Sequence, residues 1–266
     1  YQAGYSNVTG AENTFIGRVA GYSTTNSYNV AVGDAALYSN TSGGTNTAVG
    51  KSALLSNTTA SNNAALGYRA LEDNTTGAGN TALGTIALPN NTTGADNVSI
   101  GHLSMGDNST GNYNVAVGKS ALTSNTTASN NTAVGYQSLL DNTTGVRNSA
   151  FGDNSLANNT TANNNNAFGY LSLNTNTTGT QNVAMGTEAL FSNTTASDNT
   201  AVGYQSLLSN TTGNRNSAVG LESLLSNTTG SENVAMGRKA MRVNTVGSNN
   251  VAIGHETLST NNASNN

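Results

Sequence analysis

Cysteine and tryptophan are absent from this chain of 266 residues, Pro89 is its only proline, and charged residues make up 8% of it. The lack of cysteine excludes disulfides, thiolate metal sites and cysteine nucleophiles, and it leaves the redox compartment open. The nine Lys and Arg residues are scattered and the net charge is −4, so no basic stripe suits nucleic acid. No apolar run of about 18 residues is present, and we therefore expect no membrane insertion.

Asn, Thr, Ser and Gly dominate the composition, whereas Leu, Ile, Val and Phe are sparse. One large globular core cannot be built from so few large apolar side chains. Disorder is also disfavoured, because disordered chains are usually rich in charge and proline. The composition therefore predicts a chain that is ordered by repetition.

A 17-residue repeat runs through the whole chain, and its marker is Asn-x-small-apolar-Gly. The repeat at residues 199–215 reads N-T-A-V-G-Y-Q-S-L-L-S-N-T-T-G-N-R. We number its positions as slots 1 to 17 and call one repeat a rung. The marker glycines follow one another every 17 residues, except that the first step is 16. We expect a single repeat array over residues 1–266, cut within a repeat at both ends.

The slots differ sharply in the residues that they accept. Slot 1 is always Asn, slot 5 is always Gly, and slot 4 is always a large apolar residue. Slot 3 is Ala except at Phe15 and Ser99, and slot 9 is Leu or Met except at Gly21. Every charged residue falls at slots 6, 7, 10, 11, 16 or 17. These last slots should face solvent, because an unpaired charge is rarely buried.

The pattern predicts an all-β protein, a parallel β-solenoid of about fifteen 17-residue rungs with two short strands per rung. We expect strands at slots 2–4 and 7–10, a loop at slots 12–15, and a core from slots 4 and 9. Stacked rungs lie about 4.8 Å apart, so like residues form ladders, with Asn ladders at slots 1 and 12. The ladders predicted at slots 1, 5 and 9 include Asn131, Asn148, Asn165, Asn182 and Asn199; Gly135, Gly152, Gly169, Gly186 and Gly203; and Leu139, Leu156, Leu173, Leu190 and Leu207.

The energetics of one rung favour association between chains. Two large buried side chains contribute roughly 2 kcal/mol each. Ordering the backbone of the rung costs more, at about 1 kcal/mol or more per residue. We therefore expect an oligomer of this chain.

Titratable groups are dispersed, which argues against an enzyme. His102 and His255 share slot 6 but lie nine rungs apart in the sequence. The acidic residues do not recur at a calcium-binding spacing, and no Gly-x-Gly-x-x-Gly motif opens a helix. We expect no catalytic residues, no metal site and no cofactor.

Slot 6 also carries four tyrosines, Tyr68, Tyr136, Tyr170 and Tyr204. An exposed aromatic column could contact a glycan, a receptor or a matrix component, or the tyrosines could simply be exposed strand residues. The Asn-x-Thr segments at slot 12 have the form of glycan acceptors, but we interpret them as loop residues. Arg238, Lys239 and Arg242 form a local basic cluster, which we interpret as a solvated face.

The segment 250–257, N-V-A-I-G-H-E-T, resembles the Asn-Ser-Val-Ala-Ile-Gly-x-x-Ser signature of YadA-like trimeric autotransporter adhesin heads. Residues 252–254 match its Ala-Ile-Gly, Thr257 matches its final Ser, and segments 183–189 and 115–121 match similarly. The 17-residue form is similar to repeats of bacterial and phage tail-fibre-domain proteins. The resemblance implies a left-handed β-roll, three chains side by side, and an extracellular location at a cell surface or in a virion tail fibre. The adhesin repeats are typically shorter, and the extra residues lie near slots 12–15.

Three functions remain open at this point. The first is a structural, surface-projecting fibre segment that presents a repetitive polar surface for attachment. The second is an ice-binding solenoid that uses the Thr ladders at slots 13 and 14. The third is a self-polymerising extracellular filament, since bare ladder edges invite pairing.

Overall fold

A computed structural model describes residues 2–266, and it confirms the parallel β-solenoid: 15 strands of three residues and, within the described range, no helix. Each rung contributes one strand at slots 2–4, and within a unit this strand pairs in parallel with the strand of the following rung. The chain divides into two compact units, unit 1 at Tyr1–Asn131 and unit 2 at Thr132–Asn266.

The strands have the same length and the same slots throughout. Unit 1 contains β1 (Thr14–Ile16), β2 (Val30–Val32), β3 (Thr47–Val49), β4 (Ala64–Leu66), β5 (Thr81–Leu83), β6 (Val98–Ile100) and β7 (Val115–Val117). Unit 2 contains β8 (Thr132–Val134), β9 (Ser149–Phe151), β10 (Asn166–Phe168), β11 (Val183–Met185), β12 (Thr200–Val202), β13 (Ser217–Val219), β14 (Val234–Met236) and β15 (Val251–Ile253). Within each unit every strand pairs with its neighbours in the sequence, and equal slots face each other.

Backbone hydrogen bonds link each rung to both neighbours, as the rung at residues 199–215 illustrates. The N–H groups of slots 5, 7 and 17 donate to the preceding rung; that of Gln205, for example, donates to the Thr187 carbonyl at 3.0 Å. The N–H groups of slots 2, 9, 11 and 13 donate to the following rung; that of Leu207 donates to the Ser223 carbonyl at 3.0 Å. Polar backbone groups that would be costly to bury unpaired are thus satisfied between rungs.

The core of each rung is built from slots 3, 8 and 9. Ala201 at slot 3, Ser206 at slot 8 and Leu207 at slot 9 all have 0% exposure. Slot 8 is Ala, Ser or Thr in every rung, so two small side chains surround one large one. Leu and Met at slot 9 therefore supply nearly all of the bulk inside the coil.

The prediction that slot 4 belongs to the core is wrong. Leu66 is 48% exposed and Met185 is 45% exposed, and no slot-4 side chain is fully buried. Successive side chains of a strand point to opposite faces, so an inward slot 3 forces slots 2 and 4 outward. The slot-4 side chains therefore lie on the outer face of the sheet.

The predicted second strand at slots 7–10 is also absent. Two consecutive β-turns occupy this stretch instead, closed by hydrogen bonds from the Ser206 N–H to the Gly203 carbonyl and from the Asn210 N–H to the Leu207 carbonyl, both 3.3 Å long. Gln205 and Leu207 have φ values of 51° and 55°, which is the left-handed region that strands do not use. Slot 9 must turn left-handed to place Leu inside, and packing offsets the strain.

Asn side chains at slots 1 and 12 form ladders inside the coil. At slot 12, the Asn193 Nδ2 donates to the Asn176 Oδ1 at 2.9 Å and to the Ala196 carbonyl at 3.0 Å. At slot 1, the Asn182 Nδ2 donates to the same Ala196 carbonyl at 2.9 Å, and its Oδ1 accepts from the Asn199 backbone N–H at 3.0 Å. Both slots are buried, and the amides connect each rung to the next.

The slot-5 glycines of unit 2 stack directly over one another, and the column includes Gly135, Gly152, Gly169, Gly186 and Gly203. A Cβ on Gly169 would lie 2.5 Å from the Gly186 carbonyl oxygen, and φ is +138°. Both the close approach and the backbone conformation exclude any other residue.

The two exceptional residues at slot 3 are matched by exceptional neighbours. Phe15 fills the space that Leu occupies in other rungs, because a Cβ on Gly21 at slot 9 would lie 2.4 Å from the Phe15 ring. Ser99 lies beside Ser104 at slot 8, and its hydroxyl donates to the Ser104 carbonyl at 2.9 Å. The Phe15–Gly21 pair thus keeps the core volume of its rung, and the Ser99–Ser104 pair satisfies the added hydroxyl of Ser99.

This compensation predicts that the effect of Gly21→Leu on stability changes sign when Phe15 is also replaced. Gly21→Leu alone should destabilise the first rungs by about 1–3 kcal/mol, because the new side chain overlaps the Phe15 ring. In a Phe15→Ala background the same substitution should stabilise, since it restores the usual pair of Ala and Leu. Amide hydrogen exchange of residues 14–38 measures both effects. Additive effects of the two substitutions would show that the residues do not compensate each other.

Candidate interaction surfaces

An apolar column of slot-4 side chains follows the outer face of the sheet in each unit. In unit 1 it consists of Ile16, Val32, Val49, Leu66, Leu83, Ile100 and Val117, and in unit 2 of Val134, Phe151, Phe168, Met185, Val202, Val219, Met236 and Ile253. Slot 2, which points to the same face, is occupied by Thr, Val, Ser, Ala or Asn, so no charged residue interrupts this face. Contiguous apolar surface of this kind marks interaction sites in soluble proteins.

Unit 2 carries the bulkiest part of the apolar column. The rings of Phe151 and Phe168 stack with their centroids 4.8 Å apart and their planes at 6°. Met185 continues the column on the next rung. Phe168 remains 37% exposed despite this stacking.

The slot-6 tyrosines lie outside the strands and are half-exposed. In unit 2, Tyr136, Tyr170 and Tyr204 are 43%, 50% and 48% exposed and occupy every second rung. In unit 1, Tyr68 is followed two rungs later by His102, so no comparable series continues there. The alternation in unit 2 places regularly spaced aromatic side chains on one surface.

Charged side chains pair along the slot-6, slot-7 and slot-10 columns. Arg18 Nε donates to Asp34 Oδ1 at 2.9 Å, and this hydrogen bond holds the pKa of the Asp34 carboxyl below its usual value. Arg69 pairs with Glu72, which raises the pKa of the guanidinium. The predicted basic cluster is partly neutralised, because Arg242 Nε donates to Glu222 Oε2 at 2.8 Å. The Arg18–Asp34 pair is accessible to solvent, where ion pairs contribute little to stability. Glu72 at slot 10, by contrast, is only 9% exposed, so the prediction that the charged slots face solvent is wrong at this residue.

Neither histidine lies in a cluster of ligand-type residues. His102 belongs to unit 1, whereas His255 in unit 2 contacts Arg238, with 2.8 Å between Nε2 and the guanidinium Nη1. Across residues 2–266 no group of three or more His, Cys, Asp or Glu side chains could hold a metal ion. The same range also lacks a helix long and apolar enough to span a membrane.

The Thr ladders at slots 13 and 14 differ in their surroundings. At slot 13 the Thr211 hydroxyl donates to the Thr228 carbonyl of the next rung at 3.0 Å. At slot 14 the Thr212 side chain is exposed. A single row of Thr, at slot 14, therefore remains available to order water.

The Asn of the Asn-x-Thr segments at slot 12 is inaccessible. Asn57, Asn74 and Asn91 have 0% exposure, and each Nδ2 donates to the Asn of the preceding rung at 2.8–2.9 Å. Attachment of a glycan to this nitrogen would break the ladder. The slot-12 segments are thus structural in the folded chain.

The described surface includes a shallow depression in each unit. One, of about 240 Å³, lies in unit 1 where Pro89 and Gly106 replace larger slot-10 residues. The other, of about 190 Å³, lies in unit 2 between Arg242, Val243 and Glu256. Both are smaller than the about 300–1,000 Å³ that is usual for small-molecule sites.

Comparison with known proteins gives no family assignment. No protein-family model matches the chain, and no curated protein is similar to it in sequence. The surfaces themselves are therefore the basis for a functional hypothesis.

Proposed function

We propose that this chain is a structural, non-catalytic segment of an extracellular fibre, and that copies of it associate side by side through the apolar column. A single observation carries the proposal: slot 4 is a large apolar residue in every rung, yet one chain alone leaves it at the surface. Removal of apolar surface from water is favourable, so a partner that covers the column would stabilise both chains. The polar remainder of the surface would then be presented for attachment.

A second copy of the same chain is the best match for this column. Each rung offers one apolar side chain, and the rungs are in strict register. Another copy presents the same spacing, so side chains can interdigitate along the whole contact. The resemblance to adhesin heads favours three chains, that is, a homotrimer at a cell surface or in a virion tail fibre.

The small core of each rung supports this proposal. Slot 9 alone provides a large buried side chain, which contributes roughly 2 kcal/mol. The backbone of one rung costs about 1 kcal/mol or more per residue to order. Burial of slot 4 between chains would supply the second large side chain that the single coil lacks.

Native mass spectrometry of the whole chain tests the association. We expect a mass of three chains for the wild type. Met185→Ser with Met236→Ser removes two exposed slot-4 side chains, which are 45% and 44% exposed, and should weaken association by roughly tenfold or more. The matched control is Leu221→Ser, which removes a 40% exposed apolar residue at slot 6 and should leave the mass unchanged.

Other outcomes of this measurement discriminate between the remaining functions. A wild-type chain that stays monomeric at all accessible concentrations would contradict association through slot 4. Masses that grow without limit as the concentration rises would favour the self-polymerising filament. Thermal hysteresis in the purified monomer would favour ice binding through the exposed Thr row.

A further inference from the structure

Three tyrosines of unit 2 form a regular series on its surface. Tyr136, Tyr170 and Tyr204 occupy slot 6 of alternate rungs and are about half exposed. Because rungs stack about 4.8 Å apart, neighbouring tyrosines of this series lie about 9.6 Å apart along the coil. The series therefore presents an aromatic ring at every second rung.

The positions between the tyrosines carry short polar side chains. Asp153 and Thr187 occupy slot 6 of the intervening rungs. Beside them at slot 7, the Asn154 Nδ2 donates to Asp153 Oδ1 at 2.5 Å, and the Gln205 Nε2 donates to Glu188 Oε2 at 2.7 Å. Asp153, Asn154 and Glu188 thus lie on the rungs between the aromatic rings, and the Gln205 amide lies on the Tyr204 rung. Each of these side chains retains lone pairs or N–H groups for a further partner.

The charge of this surface limits the ligands that it suits. Over residues 136–205, slots 6 and 7 contain two carboxylates, Asp153 and Glu188, and no Lys or Arg. Phosphate-bearing or other anionic chains would be repelled. An apolar helix would also fit poorly, since the apolar column lies on the sheet at slot 4 and not here.

We infer that this surface, which we call the tyrosine strip (Tyr136, Asp153, Tyr170, Glu188 and Tyr204), binds an extended, neutral, β-1,4-linked polysaccharide along the coil. The inference rests on the proposed attachment function and names its ligand class. Pyranose rings carry C–H groups on their faces and hydroxyls at their edges. The faces suit aromatic side chains, and the hydroxyls suit carboxylates and amides.

The spacing of the tyrosines along the coil favours a β-1,4 glycosidic linkage. In a β-1,4-linked chain each sugar is turned over relative to its neighbour, so the same face recurs at every second sugar. The length of two such sugars is close to the separation of alternate rungs. Three tyrosines can therefore support one straight chain, whereas an α-1,4-linked chain curves away from the strip.

Isothermal titration calorimetry on the whole chain tests this inference with cellohexaose and chitohexaose as ligands and maltohexaose as the comparison. We expect both β-1,4-linked hexasaccharides to bind more tightly than their disaccharides, and maltohexaose to give no saturable heat. Tyr170→Ala should weaken binding of the β-linked hexasaccharides by roughly tenfold. The control Tyr113→Ala removes a 61% exposed tyrosine at slot 17 of unit 1 and should bind as the wild type does.

Three results would overturn the inference: no saturable heat with either β-linked hexasaccharide, equal binding of maltohexaose, or equal losses for Y170A and Y113A. Native masses of the same samples separate this failure from failure of the proposed association. If the chain is a trimer but does not bind these sugars, the tyrosine strip is not a polysaccharide site and the proposed association is still supported. Selective binding by a monomer supports the strip and removes association through slot 4.

Discussion

Replacing Asn193 by alanine is expected to lower the free energy of unfolding of unit 2 by about 3 kcal/mol or more. The Asn193 amide donates to Asn176 Oδ1 and to the Ala196 carbonyl, and its own Oδ1 accepts from the Asn210 Nδ2 at 3.0 Å. Alanine removes these three hydrogen bonds, each worth about 0.5–1.5 kcal/mol, and leaves the buried Asn176 Oδ1 without a partner at a further cost of about 1–3 kcal/mol. The Ala196 carbonyl still accepts from the Asn182 Nδ2, and the Asn210 Nδ2 still donates to the Gly213 carbonyl. Urea titration followed by circular dichroism measures the loss.

Asn158→Ala is the matched control for this substitution. Asn158 at slot 11 is exposed, and its Nδ2 donates to the Asn174 carbonyl at 3.0 Å where water can replace it. Its loss should change stability by no more than about 0.5 kcal/mol. Equal effects of Asn193→Ala and Asn158→Ala would refute a structural role for the slot-12 ladder.

Gly169→Ala is the second substitution with a large expected effect. The added Cβ would lie 2.5 Å from the Gly186 carbonyl oxygen and 2.6 Å from its carbon, and φ at this position is +138°. The Gly186 carbonyl accepts from the Ala189 N–H at 3.3 Å within its own β-turn, so it cannot move away from the added Cβ without opening that turn. We expect a loss of about 3–5 kcal/mol, measured by the same urea titration.

Gly106→Ala provides the comparison for Gly169→Ala. Its Cβ would meet the Thr123 Cγ2 at 3.2 Å, and the backbone is not left-handed, so a small side-chain shift suffices. The effect should be close to zero or slightly stabilising, because alanine reduces the entropy of the unfolded chain. If both glycines tolerate alanine equally, the close stacking at slot 5 is not what selects glycine.

The invariant slots could be predicted from the sequence because only one residue type fits them. Glycine at slot 5 predicts a glycine column, and asparagine at slot 1 and at every slot 12 except Thr24 predicts amide ladders. The period of 17 residues indicated the stacking itself. These features follow from geometry that repeats identically in every rung.

The assignment of inside and outside at slots 3 and 4 failed for a physical reason. A strand with Ala at slot 3 and Val or Met at slot 4 can turn either side chain toward the core. Residue size alone predicts burial of the larger residue at slot 4. Stacked coils leave little room on the inner face, as the 0% exposure of Ala184 shows. The small residues at slot 8 were the available signal, since they indicate an interior that admits one large side chain per rung.

The β-turns at slots 5–12 could not be predicted from residue preferences. Leu207 has φ of 55° and Gln205 has φ of 51°, and neither residue type favours that conformation. Contacts between rungs impose it, and such contacts are invisible in one repeat. The tyrosine strip, by contrast, can be predicted from the alternate spacing of tyrosine at slot 6, because that spacing recurs in the sequence itself.

The donors that point both up and down the coil set a minimum size for an ordered piece of this chain. An isolated rung has no acceptors for the N–H groups of slots 2, 5, 7, 9, 11, 13 and 17. When a second rung stacks on the first, only the N–H groups that face the other rung gain acceptors, and those on the outer sides stay unpaired. The first rungs to order therefore gain the fewest hydrogen bonds for the entropy that they lose. We therefore expect slow nucleation of a few stacked rungs, followed by fast propagation in which each added rung pairs with the last ordered one.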